Sequence, residues 1–154
     1  GQNYGAGKAD RVRRSYLLTL GYSALAAAVF GGLFLLFGRQ FLSLFTPEAD
    51  VIDAGLQRIA VMCFSFPLSA LMDNTTAASR GIGKGLVPMI FVFLGSCVFR
   101  VIWIYTIFAH FRTIGSLYLL YPFSWLITGT AEIAYFVYCY RKYVRLLEAS
   151  PAGK

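Results

Sequence analysis

"SYLLTLGYSALAAAVFGGLFLLF", residues 15–37, contains no charged side chain. A helix needs about 20 mostly apolar residues to cross the hydrocarbon of a bilayer, and this run supplies them. Three further apolar runs follow, at 51–79 (strongly apolar from Ile59), 86–109 and 118–140. One such helix could be the buried core of a soluble protein, but four runs with almost no polar face argue for membrane spans. Lipid offers the backbone no hydrogen-bond partner, so a spanning segment is either a helix or a strand of a closed barrel. These runs are too long and unbroken for barrel strands. The pattern predicts an all-α membrane protein with four transmembrane helices.

Composition agrees with this reading. The chain has 154 residues, 58% hydrophobic and only 14% charged, with a mean hydropathy of +0.64. Soluble domains carry about 25% charged residues. The net charge of +7 raises the question of nucleic acid. That partner requires a basic face in water, whereas these basic residues lie between apolar runs, so no nucleic-acid partner is expected.

Ten of the fourteen basic residues fall in three segments: Lys8, Arg11, Arg13 and Arg14; Arg80 and Lys84; Arg141, Lys142, Arg145 and Lys154. With four spans these segments share one side. The other side has Arg39, Arg58 and Arg112, diluted by Glu48, Asp50 and Asp53. The positive-inside rule then puts both ends and the Arg80 turn in the cytoplasm, with the bilayer of the cell (plasma) membrane between. Trp103, Tyr105, Tyr118, Tyr121 and Trp125 gather near the expected outer boundary, as an aromatic belt does.

Local signals refine the helices. Thr46-Pro47-Glu48 predicts a helix start, with a capping hydroxyl, a proline in the first turn and an acid at the positive end of the dipole. Phe41–Phe45 before it predicts a short interfacial segment. Pro88 lies near the start of the third span, where it is harmless. Pro122 predicts that residues 113–121 form a separate interfacial turn of helix. Pro67 falls inside the second span and predicts a bend, either lining a cavity or simply tolerated. On the first span, Ala24, Ala28 and Gly32 stand at four-residue spacing, with Ser23, Ala27 and Gly31 beside them. Both rows invite a neighbouring helix to approach closely. Cys63, Cys97 and Cys139 are expected to be buried free thiols. With one histidine, His110, and no ligand cluster, no metal site is expected.

"GAGK", residues 5–8, and "GIGK", residues 81–84, suggest phosphate loops at first sight. A phosphate loop needs G-x-x-x-x-G-K-[ST] between a strand and a helix. Here Ala9 and Gly85 follow the lysines, and no strand precedes either stretch. The dinucleotide fingerprint fails as well, so no nucleotide is expected. The stretches read instead as tight turns, with glycine free to take left-handed angles and basic side chains set at the anionic leaflet.

Three ionisable residues fall inside spans: Asp73, Arg100 and Glu132. At mid-membrane each costs about 2.5 to 3.5 kcal/mol, so such residues mark ion, proton or substrate sites or pair with one another. Asp73 either serves a cation path, with the polar Asn74, Thr75 and Thr76 beside it, or pairs with Arg80. Arg100 either snorkels or pairs with an acid on a neighbouring helix. Glu132, nearest the middle of its span, either titrates with coupling protons or pairs with Arg100.

Several stretches resemble the multidrug and toxic compound extrusion (MATE) transporters. "GQNYGAGKADRVRR" is similar to the cytoplasmic loop before their ninth helix. "FPLSALMDNTTAASRGIGKGLVPMI", residues 66–90, resembles the tenth helix, the arginine-glycine turn and the start of the eleventh. "FRVIWIYTIF", residues 99–108, and "LYLLYPFSWLITG", residues 117–129, look like the eleventh helix and the beginning of the twelfth. The resemblance covers about residues 1–145 and implies helices nine to twelve of a twelve-helix, two-lobe antiporter. Such a protein exports organic cations or drugs in exchange for sodium or protons. It is not an enzyme and uses no cofactor beyond the coupling ion.

In a sodium-coupled branch of that family an acid on the tenth helix helps bind the cation. Counted from the arginine-glycine turn, its position falls on Ser69, and Asp73 lies one turn later on roughly the same face. Asp73 is therefore the first candidate for coupling, with Glu132, Arg100, Asn74 and Ser69 as further candidates along the path. The implied partners are the N-terminal lobe and two further helices, since 1–145 reads as part of a C-terminal lobe and 146–154 as its cytoplasmic tail. The start inside a loop, without methionine, leads to the expectation of a fragment. Other readings are a flippase for lipid-linked precursors, favoured by a more basic cavity, and a small four-helix exporter working as a homodimer. A phosphatidyl transferase needs an aspartate cluster for its metal, and only Asp73 is suitably placed.

Overall fold

The apolar runs become helices, and every regular element among the described residues is helical. The computed structural model describes residues 1–149. A short helix α1 (Gln2–Gly5) leads into α2 (Ala9–Ser43). Then come α3 (Ala49–Gly81), α4 (Leu86–Phe111) and α5 (Ile114–Ala149). The first three long helices, α2, α3 and α4, are long and apolar enough to cross a membrane. Helix α5 is the longest at 36 residues, but Pro122, Ser124, Thr128, Thr130 and Glu132 dilute its apolar run.

The long helices form a row in the order α2, α3, α5, α4. Helices α2 and α3 are antiparallel, as are α4 and α5, while α3 and α5 run parallel in the middle. The exterior is apolar: Leu17, Leu25, Phe30, Leu36, Met89 and Tyr105 are all exposed. The interior holds as many polar side chains as apolar ones, among them Ser65, Thr75, Thr76, Ser79, Ser124, Thr128 and Glu132. An apolar exposed surface of this extent belongs against lipid or partner helices rather than water.

The two Gly-x-Gly-Lys stretches fold alike. Helix α1 ends at Gly5 and α3 at Gly81, and the next glycine in each, Gly7 (φ 70°) and Gly83 (φ 74°), takes the left-handed conformation. Lys8 N–H donates to Asn3 O at 2.9 Å and Lys84 N–H to Ser79 O at 2.8 Å; Gly7 N–H reaches Tyr4 O and Gly83 N–H reaches Arg80 O. Both are Schellman turns that close a helix C-terminus. Such an end presents carbonyls, the wrong polarity for phosphate. The start of α1 reaches the second turn: a Cβ at Gly1 would lie 3.2 Å from Gly81 O.

Several local expectations are corrected. Phe41–Ser43 continue α2 rather than forming an interfacial piece, so the helix reaches well past Phe37. Helix α3 starts at Ala49, with Glu48 in the cap position and Thr46 Oγ1 accepting the Glu48 N–H at 3.2 Å. Pro47 thus stands before the helix. Residues 114–121 are the first turns of α5, not a separate segment, and the helix passes through Pro122. Two contacts fix that beginning: Trp103 Nε1–H donates to Ser116 O at 2.9 Å, and Ser116 Oγ–H to Thr113 O at 2.7 Å. Of the tail, 146–149 belong to α5, and residues 150–154 lie outside the described residues.

Pro67 stays within α3. The carbonyl it deprives of a helical bond is that of Cys63, four residues earlier. That oxygen lies beside Gly31 of α2, where a Cβ would sit 3.6 Å from it. Of the two small-residue rows on α2, the Ser23, Ala27, Gly31 row faces α3, while Ala24 and Ala28 are exposed. All three cysteines are free, but only Cys63 is buried; Cys97 is exposed on α4.

Candidate functional site

Glu132 is buried completely, at 0% exposure, where α5 meets α3. Small residues make the approach possible. Gly129, one turn before it, packs on Met72, where a Cβ would come 3.6 Å from the Met72 Cβ. On the other flank Gly95, in a π-helical stretch of α4 (Leu94–Val98), packs on Thr128 so closely that a Cβ would overlap Thr128 Oγ1. Glu132 is thus set where three helices converge.

One carboxylate oxygen of Glu132, Oε1, lies 2.6 Å from Thr76 Oγ1. Thr76 Oγ1 also lies 3.1 Å from Met72 O, one turn back on α3. A hydroxyl has one proton to give. With Glu132 ionised, Thr76 donates to the carboxylate. With Glu132 protonated, the acid donates to Thr76, and Thr76 donates to the Met72 carbonyl. The same three groups therefore satisfy both protonation states. The second oxygen, Glu132 Oε2, has no protein partner, nor do Thr128 Oγ1 one turn away and Ser79 Oγ on α3. An unpaired buried polar group costs about 1–3 kcal/mol, so each of the three is an expense to the fold.

The neighbouring hydroxyls are fully paired. Thr75, also 0% exposed, donates to Leu71 O at 2.7 Å and so accepts from Tyr16 Oη at 2.8 Å, which ties α2 to α3. Beyond Thr128 on the same face of α5 is Ser124, reached by the Arg100 guanidinium at 3.3 Å. Arg100 also stacks over the Tyr121 ring, 4.6 Å from its centroid. This cation–π contact and the hydroxyl hold Arg100 two turns from Glu132. The expected alternative of an Arg100–Glu132 pair is not formed, and neither is Asp73–Arg80. Among the described residues the one ion pair is Arg39–Asp53, at the far end of α2 and α3.

Asp73 is exposed, on a face of α3 that neither α2 nor α5 covers. Ser69 Oγ–H donates to Asp73 Oδ2 at 3.4 Å, so these two candidates do meet. Asn74 donates to Ala70 O at 2.8 Å and lines a groove of about 210 Å³ with Asn3, Ser15, Tyr16 and Thr19. The sequence candidates therefore divide into four places: Glu132 inside, Arg100 with Ser124 and Tyr121, Ser69–Asp73 on the open face of α3, and Asn74 in the groove beside α2. Sequence reasoning missed Ser124 and Thr128. Their signal was the four-residue spacing of Ser124, Thr128 and Glu132, which sets all three on one face.

At the end where the termini lie, α1 and α5 clasp. Tyr4 and Tyr143 rings stack at 4.1 Å, Tyr143 Oη–H donates to Tyr4 O at 2.6 Å, and Tyr140 Oη–H donates to Ala9 O at 3.1 Å. Desolvation pushes the Tyr143 phenol above its ordinary value, with Tyr4 and Tyr140 adding to the effect, so it keeps its proton and donates.

The family model MatE matches residues 1–106, which span α1, α2, α3 and most of α4. No curated protein matches the chain. With over two thirds of its length matched, and three helices fit to cross a bilayer, this multi-pass membrane protein belongs to the MatE family of transporters.

Proposed function

We propose that the chain forms helices nine to twelve of a twelve-helix secondary antiporter, all four long helices crossing the plasma membrane with both ends of the segment cytoplasmic. The transporter exports organic cations in exchange for sodium or protons, without covalent chemistry and without a cofactor beyond the coupling ion. One observation carries the reading: Glu132, fully buried, shares Thr76 through one oxygen and leaves the other unpartnered. An acid with one oxygen partnered in both protonation states and the other left free suits a carrier that must load and release its ion in each cycle. The exposed Ser69–Asp73 pair lies on a face of α3 that α2 and α5 leave uncovered, where a substrate path would run. The excess of Arg and Lys at the end holding the termini supports the orientation.

Dye efflux from cells expressing the full-length transporter tests this, driven by a pH or a sodium gradient. Glu132→Gln should lower gradient-driven efflux by about five- to a hundred-fold, the usual range for a coupling free energy, with Asp73→Asn compared in parallel. Undiminished efflux in both variants overturns the site assignment. The four helices alone should not transport, since alternating access moves one half of a transporter against the other.

A further inference from the structure

Four of the cations assigned to one side by charge placement line two hollows that share Lys142. Lys84, in the turn after Gly83, and Lys142, on α5, line one cavity of about 130 Å³ with Tyr4 and Tyr143. Lys142 also lines an adjoining groove of about 510 Å³ with Arg141 and Arg145, and beyond them Tyr138, Val137 and Ala134. Residues 134, 137, 138, 141 and 145 recur every three or four positions, so they form one strip along α5. At 1.5 Å per residue the strip is about 16 Å long.

Its order is that of an amphiphile laid along a helix. Ala134 and Val137 offer a shallow apolar track, Tyr138 follows with its ring exposed, and the three cations come last. None of the four basic side chains has a carboxylate within ion-pair distance among the described residues. Arg141 and Arg145 stand one turn apart on α5, and Lys142 lines both hollows, so the strip is cationic with no ion pair among the described residues. The guanidinium forks of Arg141 and Arg145 match phosphate oxygens in shape as well as charge. Lys84 and Lys142 add two point charges from the other flank.

We propose that this strip is a binding site for an anionic phospholipid, its phosphate between Lys84, Lys142, Arg141 and Arg145 and its acyl chain along Val137 and Ala134. The charge decides the occupant, because a zwitterionic lipid brings a cation of its own to a surface already short of anions. The proposal concerns the membrane-facing surface and is independent of the coupling role of Glu132.

Native mass spectrometry of the full-length transporter, titrated with phosphatidylglycerol or phosphatidylcholine, tests it. The unaltered protein should retain phosphatidylglycerol in preference to phosphatidylcholine. The double variant Arg141→Gln/Arg145→Gln should lose that retention by about thirty-fold, as expected for two cations near an anionic headgroup. Arg58→Gln, at the opposite end of α3, should leave it unchanged. All these side chains are exposed, and unaltered elution on size exclusion checks that the variants fold. Equal retention of the two lipids, or no loss in the double variant, overturns the proposal. It is also overturned if Lys142 resists an amine-reactive label in the lipid-free protein, because the strip is then covered by another part of the transporter.

Discussion

Helix α3 has two partners and makes two different seams. Against α2 it packs through glycine. Gly31 receives Cys63, Gly38 receives Leu56 and Ile59, and Gly55 receives Leu42, with Tyr16–Thr75 and the exposed Arg39–Asp53 pair as polar ties. Against α5 it also begins with a glycine, Gly129 on Met72, but one turn on it sets Thr76 against the buried Glu132. Lipid tails are as apolar as leucine, so helices in a bilayer gain nothing from merely hiding apolar surface. They associate through close packing and interhelical hydrogen bonds. The first seam uses mainly the former. The second uses close packing to isolate a polar group that remains incompletely paired, an arrangement that is costly unless the group works.

Substitutions that fill or empty the seams test this difference. The largest effect is expected at Gly95, which lets α4 close over Thr128 and Glu132. A side chain there meets Thr128 itself and not the end of a flexible chain. Gly95→Val should cost about 3 kcal/mol or more and be read as loss of folded protein by fluorescence-detected size exclusion. If Gly95→Val folds normally, the α4–α5 seam is looser than described.

A smaller effect separates the two rows of α2. Gly31→Leu drives a side chain into Cys63 and should lower stability by about 1–3 kcal/mol. Gly32→Leu faces open space on this chain and should change thermal stability little, within about 0.5 kcal/mol. Equal thermal shifts for the pair would show that Gly32 is covered in the full transporter.

Of the destabilising substitutions, the mildest is expected at Thr76. Thr76→Val keeps the shape but removes the donor to Glu132, at a cost of about 1–2 kcal/mol, and should reduce efflux. Thr76→Ser should restore both. A Thr76→Val protein with unchanged stability and efflux would leave Glu132 without its described partner.

Much of this was legible in the residues. The uncharged run 15–37 read as a membrane helix, and the paired glycine-lysine stretches read as turns. Glu132 stood out because an acid inside an apolar run has few uses. Other features were not legible. Spacing offered two equivalent rows on α2, and only the position of α3 chose the one with Gly31. Pro122 looked like a boundary, yet the Trp103 bond to Ser116 and the packing of α4 carry α5 through it. Arg100 was as well matched to Glu132 by charge as to any partner, but Tyr121 and Ser124 were within reach and Glu132 was not.

Two kinds of information are therefore present. Hydropathy, charge placement and left-handed glycines act over a few residues, and they determined by themselves that the chain is helical, enters membranes, and turns at Gly7 and Gly83. Which polar groups meet depends on helix rotation and on residues 50 or more positions apart, such as Thr76 and Glu132. Only the tertiary structure decided that Glu132 is the buried acid while Asp73 faces outward, because burial belongs to the packed row of helices and not to any one of them.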